Sequence, residues 1–458
     1  MTDVLSRSLP ARPDLGFDPD AHRALELPAP LGRVRRALAS RQLMHYHRLV
    51  TVVLVVNLAV AVRGVGAGWF GPGPVNLRAL ADAAVVNLSV AILIRQQHVI
   101  NLLFALATAA PTSWPLPVRR VLGKVYHFGG IHVGGAVAGT AWFLALVVAA
   151  VGAFGPARLA AAGALAVLLV VIVITALPRL RAAAHDRFER VHRLGGWAAL
   201  ALFWVLTVWP AVSAGAQPAG PVGGFRSLVG SLSFWLLVAV TVSVALPWLR
   251  LRKVPVAVTR PSGHVALARF DHGVTPFAGS STAISRNPLL EWHSFANVPS
   301  PEEDGFRLTI SRAGDWTGAF IDDRPGHVWV KGIPTAGVGN IDRLFRRVVW
   351  VATGSGIGPT LPHLLSGEVP ARLVWATRNP RATYGDELVD EILSAEPGAL
   401  IWDTDRHGKP DMVRLAHQAV TEFEAEAVIC ISNKKLTWQV VEGMERIGVP
   451  AYGAIWDS

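Results

Sequence analysis

Cysteine is almost absent. Cys430 is the only one in 458 residues, which excludes an internal disulfide and any cysteine-based metal or iron–sulfur centre. Charge is scarce as well. Only 16% of residues are Asp, Glu, Lys or Arg, against 52% hydrophobic, and the mean hydropathy of +0.39 is too apolar for an ordinary soluble protein. The sequence shows no internal repeat and no low-complexity tract. Residues 1–30 carry Pro, Asp and Arg without an apolar core, so no cleaved signal peptide is expected.

The apolar residues are segregated into the first half. Leu43–Val62, Ala79–Ala110, Val125–Val151, Leu159–Leu177, Leu194–Ala214 and Leu228–Leu249 are each long enough to cross a hydrocarbon core, which takes roughly 20 residues. Six spans are expected, after a polar tail over 1–42. The cations alternate between the loops. Arg33, Arg35, Arg36, Arg41 and Arg48 lie before or at the start of the first span. Arg119, Arg120 and Lys124 follow the second, five arginines from Arg179 to Arg193 follow the fourth, and Arg250, Arg252 and Lys253 follow the sixth. The intervening loops hold only Arg63, Arg78, Arg158 and Arg226. By the positive-inside rule this is an integral, multi-pass protein with both termini cytoplasmic. The +11 net charge then reads as topology and contact with anionic lipid, and no nucleic-acid partner is expected.

Beyond Val254 the pattern changes. Val254–Arg260, His264–Phe270, Phe306–Arg312 and His327–Lys331 are short β-rich runs punctuated by Gly and Pro, as in a small antiparallel barrel. After Arg346, the runs Val348–Ala352, Arg372–Ala376, Ala399–Trp402 and Ala427–Ile431 alternate with helical stretches. That alternation predicts a parallel, doubly wound sheet with its ligand at the carboxyl ends of the strands. One such end carries Thr353-Gly-Ser-Gly-Ile-Gly-Pro359. Glycines there let a backbone approach a ligand, and a helix N-terminus offers N–H groups to a phosphate.

Glu291-Trp-His-Ser-Phe295 and Arg307-Leu-Thr-Ile-Ser-Arg-Ala-Gly-Asp-Trp-Thr317, in this order before the glycine loop, resemble the flavin motifs of the ferric reductase and NADPH oxidase superfamily. The resemblance implies a six-helix membrane α-helical bundle over 43–250. It implies an FAD-binding β-barrel over 251–345 and an NAD(P)H-binding α/β doubly wound domain over 346–458. Under it, His293 meets the FAD pyrophosphate and Phe295 stacks on the isoalloxazine. Arg312 and Asn297 are further cofactor candidates, Asn297 standing in for a hydroxyl that Ala296 lacks. Thr353, Gly354, Ser355, Gly356 and Gly358 hold the NAD(P)H pyrophosphate. Cys430 keeps the family's sulfur near the nicotinamide but loses the glycine after it, and is equally a small buried hydrophobe. Trp456 is a candidate aromatic clamp on the flavin, or a tryptophan closing the sheet edge.

Arg378 and Arg381 follow the second strand, where arginine pairs with a 2′-phosphate and an acidic residue would select NAD. NADPH is the expected donor. His127 and His192 begin spans at similar depth, each with glycine one turn deeper, at Gly130 and Gly195. Missing side chains beside an imidazole suit a flat porphyrin, so these two are the candidate ligands of one b-type haem; the outer pair of the resembled family is absent. A haem-less anchor is the competing reading. Arg95 and His98 are expected inside the second span, where charge is costly and functional. The chain therefore reads as a membrane flavin oxidoreductase passing electrons from NADPH to an acceptor in or near the membrane. The alternative is a non-enzymatic nucleotide- or redox-sensing module.

Overall fold

The computed structural model describes residues 26–38, 40–71, 74–214, 220–299 and 305–454. The first half is helical: α1 (Arg33–Leu38), α2 (His45–Gly66), α3 (Leu77–Leu93), α4 (Gln97–Thr108), α5 (Leu116–Leu122), α6 (Gly129–Ala149), α7 (Pro156–Thr175), α8 (Pro178–Ala183), α9 (His185–Ala214), α10 (Gly220–Val229) and α11 (Leu232–Leu249). By length and composition, five helical segments could cross a membrane: α2, α5 running into α6, α7, α9 and α11. The expected second span, Ala79–Ala110, is not one rod. It breaks into α3 and α4, which meet at 72°.

The break has a local cause. The Gln96 side chain caps α4, accepting from the N–H groups of His98 (2.6 Å) and Val99 (3.1 Å), so a new helix starts in a new direction. Arg95 and His98 therefore lie at a bend and not in mid-span, which corrects the expectation above. Several polar residues inside the bundle pair with one another. Asn57 and Asn87 exchange side-chain hydrogen bonds (2.9 and 2.8 Å), Trp142 donates to Asn57, and Ser233 donates to Asp82. Glycines on α6 admit its neighbours: a Cβ at Gly134 would lie 2.8 Å from Val53 Cβ, and one at Gly135 2.8 Å from the Asn87 carbonyl. That is close backbone packing between helices α2, α6 and α3.

The next unit is an antiparallel sheet of β1 (Arg252–Pro255), β2 (Ala257–Thr259), β3 (Val265–Phe270), β4 (Ser280–Ser285), β5 (His293–Pro299), β6 (Phe306–Ser311), β7 (His327–Val330) and β8 (Thr335–Ala336), with α12 (Asp315–Asp323) between β6 and β7. The order is β1-β7-β4-β5-β6-β3-β2, β8 pairing with β4. β1 and β2 are separated by one residue yet occupy the two edges, so a single bent segment closes the sheet into a barrel. Phe306, Leu308, Ile310, Ile284 and Phe320 fill it and are fully buried.

The last unit runs β9 (Val348–Thr353), α13 (Ile357–Ser366), β10 (Ala371–Thr377), α14 (Pro380–Tyr384), α15 (Asp386–Ala395), β11 (Leu400–Asp403), α16 (Thr404–His407), α17 (Met412–Phe423), β12 (Ala427–Ile431), α18 (Lys434–Arg446) and β13 (Ala451–Gly453). All strand pairs are parallel, in the order β11-β10-β9-β12-β13. The strand order reverses between β9 and β12, which is where a doubly wound sheet opens a crevice for a ligand.

The helical half is docked on the α/β unit and not merely tethered to it. Ile100, Phe104, Ala110 and Phe128 belong to the same hydrophobic core as Leu344, Phe345, Trp350 and Tyr452. Asn101 on α4 donates to the Pro334 carbonyl (3.0 Å) and accepts from the Ala336 N–H (2.8 Å). Arg119, 2% exposed, forms a two-pronged pair with Glu426 (2.7 and 3.0 Å) and donates to the Leu344 carbonyl. Arg120 and Lys124 both engage Glu445.

Candidate functional site

Two residues meet where the strand order reverses. Thr353 ends β9, Ser432 follows β12, and their hydroxyls are hydrogen-bonded to each other. The loop Gly354–Gly356 then turns into α13. Gly354 has φ +48°, its carbonyl accepts from Trp375 Nε1 (3.0 Å), and a Cβ at Gly356 would overlap the Ile431 carbonyl oxygen. The loop is thus pressed onto the end of β12, which requires glycine at 356 whatever ligand approaches. A Cβ at Gly358 would touch Thr309 Cβ at 3.4 Å, so α13 begins against the barrel.

Strand β6 shows why the two units face each other there. Its inward residues, Phe306, Leu308 and Ile310, fill the barrel. The alternate residues Arg307, Thr309 and Ser311 point to the α/β unit. Arg307 is ion-paired with Glu391, and Thr309 lies beside Gly358. On the barrel's other loops, Ser262 donates to the Thr383 carbonyl (2.7 Å). The hydroxyls of Thr309 and Thr282 and the Asn297 Oδ1 are buried without protein partners. Such groups are costly unless something polar meets them.

On β5, His293, Phe295 and Asn297 share one face and Ala296 and Val298 the other. Trp316, at the start of α12, stacks on His293 with ring centroids 4.0 Å apart, and lies 6.1 Å from Phe295 and 5.3 Å from Phe320. Glu291 organises this end. Its carboxylate accepts from the N–H groups of Arg286 (2.7 Å) and Asn287 (2.9 Å) and from the Ser285 hydroxyl (3.0 Å), and lies 2.9 Å from His293 Nε2. Burial alone would raise its pKa, but the hydrogen bonds from His293, the two N–H groups and Ser285 hold it below the usual carboxylate range. Asn297 donates to the Ser280 hydroxyl (2.9 Å).

Several candidates land elsewhere. Cys430 is fully buried among Val351, Val428, Val440 and Met444, away from the crevice. The alternation of β12 turns Ile431 to the opposite face, and Ser432 reaches the strand-end position. Burial pushes the Cys430 thiol up to about 12, so it will resist alkylation at pH 8 in the folded chain while reacting once unfolded. Cys430→Ala is expected to leave nicotinamide oxidation unchanged; a loss of activity without a loss of stability would restore it to the site. Arg312, a cofactor candidate, forms a two-pronged pair with Asp322 (2.6 and 3.1 Å) and donates to the Gly263 carbonyl. Trp456 lies outside the described residues.

Arg378 and Arg381 separate in the same way. Arg381 bridges Asp386 (2.7 Å) and Asp390 (2.8 Å), whereas the Arg378 side chain is 83% exposed at the end of β10, with Asp405 4.0 Å away. Arg378→Ala is therefore expected to weaken NADPH use by roughly tenfold or more, the worth of one charged hydrogen bond of about 1.5–3 kcal/mol. NADH use should hold. Arg381→Ala should change both nucleotides alike, through the α14–α15 loop; the reverse pattern in steady-state kinetics would exchange their roles.

The proposed haem pair is not what the structure brings together. The His127 ring neighbours His45 and Tyr126, with centroids 6.1 and 4.2 Å away. His192 neighbours His132 (6.1 Å) and Phe188 (5.2 Å). The glycines read as porphyrin clearance are occupied: a Cβ at Gly130 would overlap the Tyr46 carbonyl, and one at Gly195 would lie 3.2–3.3 Å from Ile172 and Leu168. Among the described residues, no group of three or more His, Cys, Asp or Glu side chains could hold a metal ion.

Sequence reasoning passed over Ser432, Glu291 and Trp316. The last two stood inside the quoted motifs, and the signal for Ser432 was its place directly after a strand.

Comparison with known proteins corrects the family expected from the motifs. Residues 338–458 match the family model described as Adenylate-forming reductase 03009, C-terminal domain. Two relatives from Coprinopsis cinerea, Adenylate-forming reductase 06235 and Adenylate-forming reductase 03009, are each 43% identical over 434 residues. The alignments take in 93% of this chain but 41% of each relative, so the chain spans about two fifths of their length. Among solved structures, a ferredoxin NADP+ reductase from Neisseria gonorrhoeae with bound FAD and NADP aligns at 12% identity and a TM-score of 0.36, covering 45% of this chain and 98% of that one. A flavohemoglobin from Malassezia yamatoensis with bound FAD and heme aligns at 15% identity and a TM-score of 0.40, covering 83% and 96%. The similarity found is thus to adenylate-forming reductases, not to the ferric reductase and NADPH oxidase superfamily.

Proposed function

We propose that this chain is an NAD(P)H-dependent flavin oxidoreductase held in a membrane by its helical half. The observation that carries the reading is the Thr353–Ser432 pair beside the glycine loop at the sheet's strand-order reversal, facing Thr309 of the barrel. The printed name of the relatives, reductase, agrees with it. The buried, unpartnered Thr282, Asn297 and Thr309 atoms and the His293–Trp316–Phe295 aromatic column fit a large cofactor that is both flat and polar. FAD, when bound, accepts a hydride from the nicotinamide and releases electrons singly to an acceptor.

The protein's own part is positioning. Phe295 and Trp316 offer aromatic faces to a planar ring, and His293, oriented by Glu291, stands at the phosphate-side edge. The backbone from Thr353 to Gly358 receives a pyrophosphate at the start of α13, and Arg378 takes the 2′-phosphate. The membrane assignment rests on the five apolar helical segments and on their outward residues, such as Leu58 (64% exposed) and Val148 (74%), which water would not favour in bulk. The acceptor then sits in or near the leaflet that faces the reductase half.

Anaerobic addition of NADPH to the purified, flavin-loaded chain tests the core of the reading. Bleaching of the flavin absorbance is expected; a bound flavin left oxidised would favour the nucleotide-sensing alternative. Retention of the chain in membranes after an alkaline wash is expected too, and its release would overturn the anchor.

A further inference from the structure

The end of the helical half nearest the reductase carries a second polar cluster that the flavin site does not use. Arg95 stands at the α3–α4 bend, Arg181 on α8, His192 on α9, His132 in the first turn of α6 and Tyr46 in the first turn of α2. The Arg95 guanidinium and the Tyr46 ring both approach the same point above Gly129, within 4.0 and 3.5 Å. Arg95 and Arg181 both lie within electrostatic range of Tyr46 and of His192. The His132 and His192 rings are 6.1 Å apart. Arg95 is exposed at the bend, with neighbouring atoms crowding its guanidinium.

The cluster lacks the counter-charge it calls for. Among the described residues, neither arginine has a carboxylate partner; each instead lies 5.7 Å from an aromatic ring, Arg95 from Phe128 and Arg181 from Phe188. Asp82 is engaged by Ser233, and Asn87 by Asn57. His132 Nδ1 donates to the Ala91 carbonyl (2.7 Å), and His192 Nδ1 is buried with no partner at all. Two guanidiniums and two imidazoles grouped together, with no carboxylate paired to either arginine, present the donors an anion needs. The helix that starts at the Arg95 bend also carries exposed apolar residues, Leu102 and Leu106 on α4.

We propose that this cluster binds the carboxylate or phosphate head of an anionic amphiphile, through Arg95 and Arg181 with His132 and His192. The site lies outside the flavin crevice, so its test needs no flavin and its failure would leave the reductase reading intact.

The probes are decanoate and dioctanoyl phosphatidate, with decanol and dioctanoylglycerol as neutral counterparts, added to the full chain in neutral detergent. The anions are expected to raise the melting temperature of the unaltered protein and the neutral molecules to leave it in place. That measurement requires no variant. Arg95→Gln with Arg181→Gln should weaken binding by about tenfold or more, while Arg63→Gln with Arg226→Gln should not. Competition by inorganic phosphate would assign the site to a free anion. Retention of phosphatidate against phosphate would assign it to a lipid headgroup.

Equal stabilisation by charged and neutral probes would overturn the proposal. So would a haem absorption band in the purified chain that disappears in the His132→Ala, His192→Ala double variant, because the arginines would then serve that group.

Discussion

Gly356→Ala is expected to abolish reduction of the flavin by NADPH while leaving the helical half and the barrel folded. A Cβ at this position would overlap the carbonyl oxygen of Ile431. The obstacle is backbone, at the end of the sheet strand β12, and cannot rotate away as a side chain would. Relief demands that β9 and β12 part where their order reverses, which breaks the Thr353–Ser432 hydrogen bond and displaces the N-terminus of α13. Overpacking in a close-packed interior costs typically 1–3 kcal/mol, and the rigid partner here places the cost at about 3 kcal/mol or more. Stopped-flow bleaching and NADPH affinity check it. Gly358→Ala is the contrast, because its Cβ would meet Thr309 at an ordinary 3.4 Å; a loss confined to Gly358→Ala would show that the loop's glycines serve the ligand and not the strand beneath.

This steric detail lies beyond what periodicity can supply. The strand–loop–helix at Thr353 was legible because a β-rich run ending in three glycines has few other uses, and the parallel sheet followed from strands alternating with helices. The barrel was legible from short runs between Gly and Pro. Facing was harder. Cys430 and Ser432 are two residues apart, but β12 ends between them. The strict alternation that buries Cys430 with Val428 stops there, and the chain turns Ser432 toward Thr353. The pairing of Arg312 with Asp322 and of Arg381 with Asp386 and Asp390 depends on which side chains a fold brings within reach. A lone arginine in a sequence does not announce whether its partner is a phosphate or a neighbouring aspartate.

The same limit applied to the second span and the histidines. An apolar run from Ala79 to Ala110 carries no mark of a 72° break except Gln96, whose capping role appears only once α4 has somewhere else to go. That destination is the surface of the barrel, where Asn101 meets Pro334 and Ala336. Gly130 and Gly195 signalled close approach correctly, but the approaching bodies are α2 and α7.

Glu445→Ala is expected to uncouple the helical half from the α/β unit, with the largest stability loss of any single surface-distant substitution considered. Glu445 is 8% exposed on α18 and accepts from Lys124 Nζ (2.9 Å) as well as Arg120. Lys124 in turn donates to the Ala451 carbonyl (2.9 Å), and the Tyr452 hydroxyl donates to the Arg120 carbonyl (3.1 Å). Truncating the carboxylate leaves two cations facing each other without compensation, a change that costs about 3–5 kcal/mol in buried pairs. Replacing the pair by apolar residues, Lys124→Met with Glu445→Leu, should recover most of the loss, since a well-packed apolar contact needs no counter-charge.

Burial alone would raise the pKa of Glu445, but Lys124 and Arg120 hold it below the usual carboxylate value. A carboxylate depressed in the folded state contributes stability that is present above its unfolded pKa and lost as pH falls through its folded one. The Glu445 contribution to docking should therefore be lost on acidification through and below the ordinary carboxylate range. Limited proteolysis of the Thr108–Leu116 connection in detergent, followed across pH, reads this directly. Faster cleavage in Glu445→Ala at neutral pH, matching that of the unaltered chain in acid, is the expected result. Cleavage that is slow and equal in both would place the coupling in the shared hydrophobic core of Phe104, Phe128 and Phe345 instead.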